Sequence, residues 1–266
     1  MNYWKRFKND IQKYMDYAIY AARAELKSEV AGSYLNWVWW VLEPLCLMFI
    51  YAFIFGFMFN AREKYFTAFI FVGLACWTFF NKCLKNSVKM VKKQQAILSK
   101  VYVPKFIFLI TKMMVNGFEM LISFLIVIGL MFFYRIPLSW NILFVPLILL
   151  CMFLLVFGCM CILLHFGVYV EDLANVVNIA LRLLFYMTGI MFNIEHRIGA
   201  SHPELAFMLG KCNPMAYLIN ALRDCVLYST TPDLTILFIW YIISILLCIF
   251  GMRIIYKNEN SYIKVS

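Results

Sequence analysis

The sequence predicts an all-α, polytopic membrane protein: six transmembrane helices, an amino-terminal amphipathic interfacial helix and an outer re-entrant helix pair before the last span. Three observations predict it. Of 266 residues, 64% are hydrophobic and 14% charged, far from the roughly 45–50% and 25% of a soluble globular chain. The apolar residues come in long uninterrupted runs, which excludes disorder, coiled coil and the period-two alternation of a β-barrel. The 24 Lys and Arg collect on alternate connections between those runs, as membrane topology requires.

No secretory signal peptide is expected, because the first long apolar run begins only near Tyr34. Residues 1–33 form the amphipathic helix. Trp4, Phe7, Ile11, Tyr14, Met15 and Ala18 recur at spacings of three and four, while Lys5, Lys8, Asp10, Lys13 and Asp16 face elsewhere. Such a helix lies in the membrane interface.

Residues 34–266 form one six-span membrane domain, with spans at about 34–59, 65–88, 106–134, 142–166, 173–192 and 234–256. Each is near the roughly 20 residues that cross about 30 Å of hydrocarbon. The second is apolar only to Phe80 and continues as a polar extension. Six Lys and Arg precede the first span, eight lie from Lys82 to Lys112 and three in the tail, a total of 17 against six on the opposite connections. Both termini are therefore predicted cytoplasmic. The net charge of +10 is then an orientation signal, and no nucleic-acid partner is expected.

Between the second and third spans, a basic segment carries the apolar cluster Ala96, Ile97 and Leu98 and ends at Pro104. It predicts a short helix across the cytoplasmic end, with an apolar face suited to a groove on another subunit. From 194 to 233 the chain spends 40 residues on the outer side, too many for a plain connector. Leu205, Met208 and Leu209, then Met215, Leu218, Ile219, Leu222 and Val226, recur at helical spacing around Asn213-Pro214. Two short amphipathic helices meeting at a proline break are expected, flat on the interface or dipping into the bundle.

Glu43, Glu119 and Arg182 fall inside spans, where a charge costs at least about 2.5 kcal/mol. At 1.5 Å per residue, Glu43 and Arg182 sit at similar depth, about 12–15 Å from the cytoplasmic end. They are expected to face the bundle interior and pair, within a chain or across a dimer, either to fix registry or to serve transport. The first span also carries Tyr51, Phe55 and Phe59 on one face. Aromatic faces stack on sugar rings without a fixed hydrogen-bond register, so these rings could line a conduit, or face lipid.

Six of the nine cysteines (Cys46, Cys76, Cys151, Cys159, Cys161 and Cys248) lie in apolar runs and read as core residues; Cys212 and Cys225 share a non-spanning segment and could pair on an oxidising side. His165, His196 and His202 make no metal-ligand pattern. The chain has no G-x-x-x-x-G-K-[ST], H-E-x-x-H or G-x-S-x-G, so it shows no nucleotide-binding site or catalytic set of its own.

A set of motifs in fixed order runs nearly end to end: Gly32-Ser33-Tyr34-Leu35, Trp39-Trp40-Val41-Leu42-Glu43-Pro44-Leu45 and Tyr51-Ala52-Phe53-Ile54-Phe55, then Phe71-Val72-Gly73-Leu74-Ala75-Cys76-Trp77-Thr78-Phe79-Phe80 and Leu98-Ser99-Lys100-Val101-Tyr102-Val103-Pro104. Tyr169-Val170-Glu171-Asp172-Leu173 and Asn213-Pro214 with Arg223 follow. In these the chain resembles the transmembrane permease subunits of ABC exporters for cell-surface polysaccharides, including O-antigen, teichoic acid and capsule exporters. The resemblance implies a homodimer of six-span subunits in the bacterial cell membrane, powered by two copies of a cytoplasmic ABC ATPase subunit that binds the ATP and Mg. It makes Val91, Lys92, Lys93, Gln94, Gln95, Ala96, Ile97, Leu98 and Ser99 the ATPase-coupling segment, and Asn213, Pro214 and Arg223 part of the outer re-entrant region. One departure is Glu171, where the family commonly has Arg before the Asp.

The expected cargo is an undecaprenyl-pyrophosphate-linked glycan, its headgroup met by Lys5, Lys8, Arg23 and Lys27 and its sugars by the aromatic lining. Two rivals stand beside this reading. One is an ABC permease for a drug, lipid or small solute, which needs fewer channel aromatics; the other is a six-span membrane enzyme, which needs an interfacial polar cluster.

Overall fold

A computed structural model describes residues 3–31, 34–58, 63–98, 100–199 and 201–265. Among the described residues all regular structure is helical. The order is α1 (Tyr3–Val30), α2 (Trp39–Tyr51), α3 (Phe66–Val88), α4 (Met90–Lys93), α5 (Gln95–Leu98), α6 (Lys105–Phe133), α7 (Val145–Tyr169), α8 (Leu173–Met187), α9 (Ile194–Ile198), α10 (Pro203–Lys211), α11 (Pro214–Arg223) and α12 (Leu234–Val265). Helix α2 runs on as a π-helical stretch, Ala52–Met58, and α11 as another, Asp224–Tyr228.

Among the described residues, five helical stretches are long and apolar enough to cross a membrane: Trp39–Gly56, Phe66–Val88, Lys105–Phe133, Trp140–Tyr169 and Leu234–Glu259. The expected span at 173–192 is a helix of 15 residues, Leu173–Met187, or about 22 Å. It stops because the Thr188 hydroxyl donates back to the Leu184 carbonyl at 2.6 Å and the chain turns at Gly189, φ +67°. The helix itself therefore ends five residues before the expected boundary at 192 and is shorter than the other five apolar stretches.

Helix α3 is the hub, packed by α2, α6, α7, α8 and α11. It is apolar on all sides from Ala68 to Trp77 and buried throughout that stretch, as an all-round hydrophobic helix must be. In lipid such burial gains little from the hydrophobic effect, so close packing and hydrogen bonds hold the helices together. The pair α7–α12 shows this. A Cβ on Gly158 would stand 2.8 Å from the Leu247 Cβ, and the Cys248 thiol donates to the Leu154 carbonyl at 3.0 Å.

Helix α1 lies along α6. Ala18 is fully buried, the Phe7 ring sits 5.2 Å from Phe106 and the Tyr17 ring 6.2 Å from Phe108. The end of the bundle that carries α1, α4, α5 and the carboxyl-terminal turns of α12 is called the basic end below.

Candidate functional site

At the basic end, α4 and α5 turn across the bundle after α3. Met90, Val91 and Leu98 are buried, whereas Lys92, Lys93, Gln95, Ala96 and Ile97 are exposed and Gln94 is half-buried. The single expected helix is thus two short turns split at Gln94. Of the expected apolar docking face, Ala96 and Ile97 point out and Leu98 anchors the segment. Ser99 lies outside the described residues.

Lys92 donates to Glu171 Oε1 at 2.8 Å, joining this segment to the α7–α8 connection. The hydrogen bond and charge of Lys92 hold the exposed Glu171 carboxyl below its ordinary range. An arginine at 171 would face Lys92 with like charge, so the departure at this position has a local partner.

Beside it stands a clasp that the sequence did not suggest. Arg6 Nη2 donates to both oxygens of Glu259 at 2.9 Å and to the Tyr102 hydroxyl at 2.7 Å; the Tyr102 hydroxyl also donates to Glu259. The Arg6 guanidinium lies 4.5 Å over the Tyr256 ring, whose hydroxyl donates to Asp10 at 2.9 Å. Burial, and then the bond to Glu259, push the Tyr102 hydroxyl up to about 12. Both terminal helices are thereby locked to the irregular segment that leads from α5 into α6. Lys5, Lys8, Arg23 and Lys27 are all exposed and share one face of α1 by helical spacing. Arg6, one residue along, faces inward.

Within the bundle, the expected pair of Glu43 and Arg182 does not form inside one chain. Arg182 is on the exposed face of α8. Glu43 lines a recess of about 60 Å³ between α2, α3 and α6, with Lys82 and Glu119. There Lys82 donates to Glu119 Oε2 at 2.6 Å, so Glu119 finds its partner in a lysine that topology alone had explained. A second ion pair, Lys112–Glu25, ties α6 to α1. Of the proposed lining, Tyr51 and Phe55 have ring centroids 6.4 Å apart, and Tyr51 is 6.4 Å from Phe185 of α8. These rings therefore lie between the first apolar helix and α8. Phe59 lies outside the described residues.

At the opposite end, α10 and α11 meet at Asn213-Pro214. Asn213 Oδ1 accepts from the Met215 and Ala216 amides at 3.1 and 3.4 Å, and its Nδ2 donates to Thr188 Oγ1 at 3.3 Å. With Pro214 next, this is a side-chain cap followed by proline at the first helical position. Arg223, at the end of α11, is 1% exposed. Its Nε donates to the Phe69 carbonyl at 3.1 Å, Nη1 to Gly189 O at 3.1 Å and Asn220 Oδ1 at 3.0 Å, and Nη2 to Ile190 O at 2.9 Å. The guanidinium stacks 3.4 Å above the Phe69 ring. A Cβ at Gly73 would stand 2.5 Å from Nη2, so only glycine leaves it room. One buried cation thus staples α11 to α3 and to the turn after α8, with its donors spent on fixed acceptors. Cys212 is exposed and Cys225 buried, both as free thiols, so no disulfide joins them.

These features define a multi-span, all-helical membrane protein whose helical hub carries a basic crossing segment at one end and a stapled helix pair at the other. The chain belongs to the ABC-2 type transporter family, matching it over residues 19–227. It is 24% identical over 262 residues, 98% of each chain, to an O-antigen export system permease protein RfbA of Klebsiella pneumoniae. It is 24% identical over 230 residues, 86% of each chain, to the protein of that name from Myxococcus xanthus.

Proposed function

We propose that the chain is the channel subunit of an ABC exporter that moves an undecaprenyl-pyrophosphate-linked cell-surface polysaccharide out of a bacterial cell, driven by a separate ATPase. The observation that carries this reading is the end-to-end likeness to O-antigen export permeases. Both termini face the cytoplasm, the ATPase docks on Lys92, Lys93, Gln95, Ala96 and Ile97, and its stroke reaches the bundle through buried Val91 and Leu98. The exposed row Lys5, Lys8, Arg23 and Lys27 receives the pyrophosphate, and Tyr51, Phe55 and Phe185 meet the sugars. Helix α8 with the turn after it serves as the sixth crossing, and α10–α11 as the outer re-entrant pair.

Two copies form the channel. Arg182 supports this: it sits in an apolar helix without an ion-pair partner among the described residues of its own chain, a costly state in a bilayer that Glu43 of a second copy relieves. Glu43→Arg and Arg182→Glu each weaken dimerisation, and the double variant restores it; a double variant no better than the singles refutes the pairing.

The test of the whole reading is ATPase activity of the reconstituted complex with lipid-linked glycan. Neutralising Lys5, Lys8, Arg23 and Lys27 to Gln lowers the substrate-stimulated rate and leaves the basal rate unchanged. Unchanged stimulation leaves membrane topology as the sole account of those charges.

A further inference from the structure

The turn between α6 and α7 holds a cation that neither topology nor packing requires. Arg135 closes α6 in the left-handed region, φ +53°. Its amide donates to the Phe132 carbonyl at 3.1 Å and the Ile136 amide to Met131 O at 3.0 Å, the pair of hydrogen bonds of a Schellman cap whose left-handed position is normally glycine. An arginine there accepts backbone strain that glycine avoids. Its side chain makes no ion pair or hydrogen bond with a described residue. It is the one Lys or Arg in its connection, at the end of the bundle where basic residues are few.

Among the described residues, Arg135 is the one charged residue lining an apolar recess of about 590 Å³. The floor is buried and entirely hydrocarbon or thioether: Val127, Met131, Ile136 and, from the π-helical stretch after α11, Val226. The rims, Phe132 and Leu138, are exposed, as is the neighbouring Trp140, and aromatic rings mark the headgroup level of a bilayer. The turn is pinned by Asn141 Nδ2 to Ser229 O at 2.7 Å and Ser229 Oγ to Pro137 O at 3.2 Å.

We propose that this recess holds an acyl chain of an anionic phospholipid from the surrounding bilayer, with its phosphate forked on the Arg135 guanidinium. The floor offers nothing to a polar ligand, and an unpaired planar cation at headgroup level matches a phosphate. A lipid seated there touches Val226, three residues from Arg223, and so lies against the outer helix pair.

Native mass spectrometry of the full-length protein, released from micelles holding equal dioleoyl phosphatidylglycerol and dioleoyl phosphatidylcholine, tests this. The wild type retains phosphatidylglycerol in preference. Arg135→Gly, which suits the left-handed backbone, melts no lower than wild type yet loses about tenfold in apparent affinity, the worth of one charge-assisted contact. Val226→Phe fills the floor and lowers retention as well. Equal phosphatidylglycerol retention by Arg135→Gly, no preference in the wild type, or displacement of the lipid by an equimolar undecaprenyl phosphate overturns the assignment.

Discussion

Arg6 and Glu259, 253 residues apart, are joined by two hydrogen bonds of 2.9 Å from one guanidinium nitrogen. This contact closes the chain on itself at the basic end and holds the first helix against the last. Tyr102 bonds both partners, so whatever displaces the segment before α6 must pull on the clasp.

Arg6→Gln and Glu259→Gln therefore couple. A double-mutant cycle on thermal stability in detergent gives an interaction energy of about 1–2 kcal/mol, the range for contacting partners in one network. Additive losses contradict the clasp.

Arg223→Leu leaves the Gly189 and Ile190 carbonyls and Asn220 short of a buried donor and costs about 3 kcal/mol or more. Gly73→Ala costs about 1–3 kcal/mol by overpacking the same guanidinium. Since both act on one contact, the double variant in a thermal melt loses less than the sum of the two.

Burial, reinforced by the charge of Glu195 and opposed by Arg223 and a bond from Thr230, lifts the Asp224 carboxyl from 3.8 to about 6. The unfolded chain ionises first, so between those values the folded protein binds more protons and its stability falls as pH rises. Melting temperatures measured from pH 4 to 6.5 decline for the wild type, and Asp224→Asn flattens that slope. An unchanged slope in the variant assigns the effect to another group.

Ile97 and Leu98 are adjacent and opposite in fate. Ile97→Asp keeps the wild-type melting temperature and abolishes co-purification of the ATPase subunit, because it alters the exposed face proposed to dock it. Leu98→Ala destabilises the chain by about 2–3 kcal/mol. Retained co-purification by Ile97→Asp moves the docking surface elsewhere.

The long apolar helices were legible because uninterrupted hydrophobicity needs no partner to be read: α3, α6 and α12 begin within a residue of where the runs predict. The Asn213-Pro214 break was legible too, through its proline and the helical spacing on either side. What escaped was long-range pairing. Arg6 and Lys82 read as topology signals, since their partners Glu259 and Glu119 come from other helices. Arg182, conspicuous inside an apolar run, is exposed, while the buried arginine is Arg223, whose acceptors are mostly backbone carbonyls that no side-chain pattern announces. The early end of α8 turns on one hydroxyl and one glycine.

Glycan export is tested most directly by deletion of the gene in its own cell. Surface polysaccharide and the cytoplasmic pool of lipid-linked glycan are measured together, with and without plasmid-borne wild type. The deletion strain is expected to lose the surface polymer and accumulate the lipid-linked form inside, with both reversed by the plasmid. An unchanged surface polymer in the deletion strain, with efflux of a drug or small solute impaired instead, contradicts it.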